Sequence, residues 1–180
     1  MKKHIENFYK HIQDSCRDFD KKNFDLEEIN KIVIAGMGGS AIAGLILKDL
    51  FPELEITVER NYFPNTPIDE STLVIMCSYS GNTEETLSYY DYASRLTDHT
   101  IVLTTGGKLL KKAKSDKIKF QLLPKGYPPR SALGFSLAIL ISIFDKEGIS
   151  NIDFECLKNF ADESSSKKSE VYKQAKKIHK

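Results

Sequence analysis

Three hydroxyl side chains sit within six residues at Ser78, Ser80 and Thr83, with Gly81 between them. An apolar run, Thr72 to Cys77, precedes them and reads as a buried parallel strand. A helical pattern follows from Glu84 to Leu96, with Leu87, Tyr90 and Ala93 at helical spacing. A strand, a short polar turn and a helix start together form an anion site, because free backbone N–H groups and the positive end of the helix dipole converge there. The hydroxyls add donors suited to phosphate oxygens. Gly81 permits close backbone approach or a positive φ. The loop is expected to hold a phosphate, without a P-loop lysine. Asn82 reads as the cap of the following helix, with Glu85 three residues on. That accounts for two residues and leaves the hydroxyls unexplained.

A second glycine-rich turn, Gly36-Met37-Gly38-Gly39-Ser40, follows the strand Lys31 to Ala35. With Ala41 it fits the dinucleotide fingerprint, and Glu59 ends the next strand at the spacing of a ribose-binding acid. An NAD site is therefore a rival reading, as is a tight turn with packing glycines. The Ser-Tyr-Ser-Gly-Asn-Thr loop also resembles the flavin phosphate loop of flavodoxins. There the loop follows the first strand, whereas here it follows the third.

Arg130, after Pro128 and Pro129, begins a strongly apolar segment. A cation at a helix start opposes the dipole, so Arg130 either reaches harmlessly into water or meets an anion. Glu84 and Glu85 are read as first-turn acids that favour the dipole. His4, His11, His99 and His179 are scattered and carry no assigned role.

The elements that position these residues alternate. Strands are expected at 31–35, 55–59, 72–77, 100–104 and 117–122. Helices are expected at 4–19, 41–50, 84–96, from the Thr105-Gly106-Gly107 turn to about Lys114, at 131–146, and over roughly 153–178. Alternating strands and helices mean an α/β domain with a parallel sheet. Five strands suit the flavodoxin-like order 2-1-3-4-5 in a three-layer α/β/α arrangement, which places the loops after the first and third strands across one crevice. The helix over 131–146 is apolar nearly all round and is expected to be buried on most sides, some of it by a second subunit or domain.

Composition narrows the partners. The 180 residues suit one domain, and 41% are hydrophobic. Lys+Arg 26 against Asp+Glu 25 leaves no basic field for nucleic acid or anionic membrane. Cys16, Cys77 and Cys156 are far apart and show no zinc spacing, and Cys77 is expected to be a buried core thiol. The N-terminus is polar and the longest apolar run is too short to span a bilayer, so a cytoplasmic setting is expected.

These pieces, in this order and spacing over residues 30–145, resemble a sugar isomerase (SIS) domain. More narrowly they resemble the first half of the bifunctional phosphoglucose/phosphomannose isomerases. The matching stretches are Gly36–Ser40, Arg60-Asn61-Tyr62 with Pro64, Ser78–Thr83, and Pro128-Pro129-Arg130 with its apolar helix. The resemblance implies phosphate binding by Ser78, Ser80 and Thr83, substrate contact by Gly39 and Ser40, and stabilisation of an anionic cis-enediolate by Arg130. It implies interconversion of hexose 6-phosphates without metal or redox cofactor. It also implies a two-domain enzyme whose glutamate base, histidine and lysine come from the later half. Residues 1–153 are then one SIS domain, and 154–180 lead towards a second. The chain is expected to be a fragment or one half of a split enzyme, paired with itself or a second SIS domain, with little turnover alone. A non-catalytic sugar-phosphate sensor is the alternative.

Overall fold

The computed structural model describes residues 7–18, 29–149, 159 and 163. The order is α1 (Phe8–Asp18), β1 (Lys31–Gly36), α2 (Gly39–Leu50), β2 (Ile56–Glu59), β3 (Thr72–Ser78), α3 (Glu84–Ala93), β4 (Thr100–Thr104), α4 (Gly107–Ser115), β5 (Lys119–Leu122) and α5 (Leu133–Lys146). A 3-10 turn, Pro129–Ser131, leads into α5. The expected helix over 153–178 lies outside the described residues but for 159 and 163.

The five strands are all parallel and run β2-β1-β3-β4-β5. Strand β3, at the centre, is buried along its whole length. It therefore carries a continuous apolar run instead of alternating polar residues. Its side chains divide between two layers. Leu73, Ile75 and Cys77 face α2 and α5, while Val74 and Met76 face α3 and α4. This division follows from topology. The chain moves outward from β1 to β2, then returns past β1 and builds in the other direction. With crossovers of constant hand, the later helices must cover the opposite face.

The α5 segment meets its need for burial inside this chain. Phe135, Ala138, Ile139, Leu140, Ile141, Ile143 and Phe144 are almost wholly buried against the sheet, α2 and α1. Ser142 donates to the Ala138 carbonyl at 2.7 Å, so its hydroxyl is satisfied within the helix. The apolarity of α5 thus does not itself call for a second subunit.

Local chemistry shifts several element ends. β5 starts two residues later than expected, because Lys117 adopts φ 60° and Ile118 N–H closes onto the Ala113 carbonyl as α4 ends. α3 ends at Ala93, where Leu96 N–H turns back to the Ala93 carbonyl. The N-cap of α3 is Thr83, in extended conformation, with no side-chain capping bond. Asn82 instead reaches the neighbouring helix, where its Oδ1 accepts from the Lys108 N–H in the first turn of α4.

Candidate functional site

The register brings three turns to one level. Gly36 lies beside Cys77, and Ser78 beside Thr104. The chain therefore leaves β1, β3 and β4 at the same edge, the carboxyl end where parallel sheets bind ligands. The first two turns are in contact, since Tyr79 N–H donates to Ser40 Oγ at 3.4 Å. The expected crevice between Gly36–Ser40 and Ser78–Thr83 is present.

The hydroxyl loop is held from within. Ser78 is buried, and its Oγ accepts from Gly81 N–H at 3.1 Å and bonds Thr83 Oγ1 at 2.9 Å. Ser80 is exposed, and its Oγ accepts from Asn82 N–H at 3.2 Å. Ser40 and Thr83 are half-buried. A consistent pattern emerges. Ser40 and Ser80 each use an oxygen lone pair to accept an internal N–H. With Ser78 donating to Thr83, Thr83 does the same with an O–H. All three then keep their own protons for an acceptor outside the protein. The free N–H groups at the start of α3 add further donors.

Glycines are required where backbones touch. Gly81 sits at φ 67°, and a Cβ there would lie 1.8 Å from the Gly106 carbonyl oxygen. The loops after β3 and β4 are thus in backbone contact, joined also by Thr105 N–H to the Tyr79 carbonyl and Leu109 N–H to the Gly81 carbonyl. On the other side, a Cβ on Gly39 would lie 3.1 Å from the Pro129 carbonyl and 3.3 Å from Arg130 Cα. The Pro128–Arg130 turn therefore packs on the glycine turn. Arg130, exposed at the sequence distance of 91 positions from Gly39, is delivered to the rim of the same crevice.

Two contributions were invisible in the sequence pattern. Tyr79 Oη donates to the Pro124 carbonyl at 2.7 Å and accepts from Tyr127 N–H at 3.0 Å. Burial raises the phenol above its ordinary value, which keeps it protonated and able to donate. This stitch fixes the loop after β5, which carries Lys125, to the ends of β3 and β4. Only a tyrosine inside the hydroxyl loop hinted at it.

Glu59 has a different role from the ribose contact. It is 4% exposed. Its Oε1 accepts from Asn65 N–H, Thr66 N–H and Thr66 Oγ1, at 3.1, 2.9 and 2.9 Å, and its Oε2 accepts from Asn61 Nδ2 at 3.1 Å. The carboxylate folds the loop after β2 around itself. The cleft beside it, between Gly36, Met37 and Tyr89, holds only about 130 Å³ of empty space. A cofactor pocket needs several hundred. Glu59→Gln should destabilise the domain by about 1–3 kcal/mol, because a charged acceptor is replaced by an amide whose NH₂ opposes a donor. Urea unfolding measures this, and an unmoved midpoint would mean the loop is held otherwise.

Cys77, buried at the end of β3, has its thiol pushed up to about 12 by desolvation, as suits an inert core residue. A hollow of about 540 Å³ opens at the opposite end of the sheet, among Asp91, Arg95, Asp98, Lys112, Asp116 and Lys119. Its mixed charges, with Lys112 paired to Asp91, form no anion site.

Comparison with known proteins agrees with this geometry. The chain is 43% identical over 130 residues to the bifunctional phosphoglucose/phosphomannose isomerase of Caldicellulosiruptor bescii, a match covering 71% of this chain and 38% of that protein. The chain has the fold of a sugar isomerase (SIS) domain. It resembles one part of those isomerases. The enzyme of the same name from Thermoplasma volcanium is 39% identical over 142 residues, covering 79% of this chain and 45% of that one. The chain thus spans less than half the length of the curated relatives it matches. The tagatose-6-phosphate ketose/aldose isomerase of Escherichia coli shares its fold, with TM-score 0.69 at 18% identity over 94% of this chain and 52% of the other. No family model matches the sequence. Among the described residues, no helix is long and apolar enough to cross a membrane.

Proposed function

We propose that this SIS domain binds the phosphate of a hexose 6-phosphate and forms the phosphate-holding half of an aldose–ketose isomerase. The reaction is the interconversion of glucose 6-phosphate or mannose 6-phosphate with fructose 6-phosphate. One observation carries the reading. Ser40 and Ser80 each accept an internal N–H at this crevice, which leaves their own protons for an outside acceptor, and Thr83 joins them when Ser78 donates to it. Such a site suits an acceptor-rich anion at a helix start.

In this reading Ser80 and Thr83 donate to the phosphate, Ser78 orients Thr83, and Gly39 and Ser40 line the sugar. A base takes the C2 proton of the aldose, and the electrons pass to the C1 carbonyl to give a cis-enediolate. Return of a proton to C1 and transfer of the O2 proton to O1 yield the ketose. Arg130 meets the charge that develops on the enediolate oxygens. Residues 1–153 form the SIS domain and 154–180 lead towards a second. The base comes from that second SIS domain, or from a second copy of the chain. General-base catalysis is worth about 10²–10⁴-fold, so this chain alone should turn over little.

Calorimetric titration of the chain with fructose 6-phosphate, beside NAD, tests the reading. Binding of the sugar phosphate and not of NAD is expected. Binding of NAD alone would overturn it in favour of the glycine turn. Saturable isomerase activity of the isolated chain would exclude a purely sensing role.

A further inference from the structure

The hydroxyl loop offers hydrogen bonds but no formal positive charge. A phosphate monoester carries about −1.5 to −2 at neutral pH. The helix start opposite it carries Glu84 and Glu85, two acids in the first turn of α3. The dipole contributes only about half a charge. A cation from outside the loop would add charge pairing to such a site, and Arg130 lies beside Gly39, on the glycine-turn side of the crevice.

Lys125 is placed to supply it. Its Nζ lies 3.8 Å, and its Cε 3.9 Å, from the point a Cβ on Gly106 would occupy. Gly106 is the residue whose carbonyl packs directly on Gly81. The ammonium therefore lies beside Gly106, the residue that packs on Gly81, although the lysine is 19 residues further along the sequence. It is held there by Tyr79, which grips Pro124 before it and Tyr127 after it. A residue of the hydroxyl loop thus fixes the backbone on both sides of the lysine. Lys125 is exposed, and no ion pair or hydrogen bond of its side chain engages a described residue.

We propose that Lys125, positioned by Tyr79 over Gly106, is the cation that pairs with the phosphate held by Ser80 and Thr83. The inference rests on the phosphate-site reading above and adds to it the residue that supplies the charge.

The test is calorimetric titration of the full chain with fructose 6-phosphate at low and high salt, for wild type, Lys125→Met, Lys125→Arg, Lys108→Met and Lys48→Met. Lys108 tests the other nearby lysine, and Lys48, in the last turn of α2, tests net charge alone. Lys125→Met should weaken binding about tenfold or more at low salt, and flatten its salt dependence. Lys125→Arg should keep most of both, and the other two variants should stay close to wild type. Tyr79→Phe should weaken binding in the wild type and add less in the Lys125→Met background. Unchanged affinity and salt dependence in Lys125→Met, an equal loss in Lys48→Met, or full additivity with Tyr79→Phe would overturn the assignment while leaving the phosphate site standing. If wild type itself fails to bind fructose 6-phosphate, the site reading falls and this inference with it.

Discussion

Gly81→Ala should cost about 2–5 kcal/mol of stability and remove sugar-phosphate binding. Two terms add. An alanine at φ 67° pays the left-handed penalty of about 1–2 kcal/mol. Its methyl would also lie 1.8 Å from the Gly106 carbonyl, a backbone atom that cannot swing aside. Forcing apart two such loops resembles overpacking a core, at about 1–3 kcal/mol. Gly38→Ala tests positive-φ strain without a contact. Gly38 has φ 53° and ψ −123°, a strained backbone for any other residue, but nothing within 4 Å of its would-be Cβ, so its cost should stay near ~1–3 kcal/mol. Urea midpoints of the two variants provide the measurement. Equal losses would mean that the Gly81–Gly106 contact relaxes freely and does not define the loop.

That contact shows where sequence reading stops. The strands were legible because a buried parallel sheet demands continuous apolar runs, and Thr72–Cys77 could hardly be anything else. The order 2-1-3-4-5 then placed Gly36–Ser40 opposite Ser78–Thr83, as the Tyr79 N–H to Ser40 bond bears out. Hydroxyl and glycine content marked both turns. What was not legible depends on residues distant in sequence. Nothing in the pattern indicates that Asn82 caps α4 in place of its own helix, since a cap is read from local spacing and this bond spans 26 positions. Nor could spacing reveal that Tyr79 binds the loop around Lys125, because that loop only arrives there once β5 is paired. Glu59 misled for a related reason. An acid at a strand end suits a ribose, but it suits equally a loop that turns its own N–H groups inward, and the loop is the partner it has. The apolar α5 was read correctly as buried, yet the surfaces that cover it include α1, an element whose place on the sheet the sequence does not state.

Ser80→Ala combined with Thr83→Val should weaken fructose 6-phosphate binding by about 10²–10⁴-fold, with the fold retained. Each hydroxyl proton directed at an ionised acceptor is worth about 1.5–3 kcal/mol, because the partner is charged. Two such bonds amount to about 3–6 kcal/mol, and each 1.4 kcal/mol is tenfold in affinity. The structural cost should be smaller. Ser80 is exposed, and its loss leaves Asn82 N–H at the solvent. Thr83→Val removes a partner of Ser78, which keeps its bond from Gly81 N–H. Stability should therefore fall by about 1–2 kcal/mol, a loss that urea unfolding separates from the binding defect. Calorimetry on the double variant and on each single one gives the decisive comparison. If the double variant binds as wild type does, the outward protons of this loop hold nothing, and the sugar phosphate must lie elsewhere on the sheet's carboxyl edge.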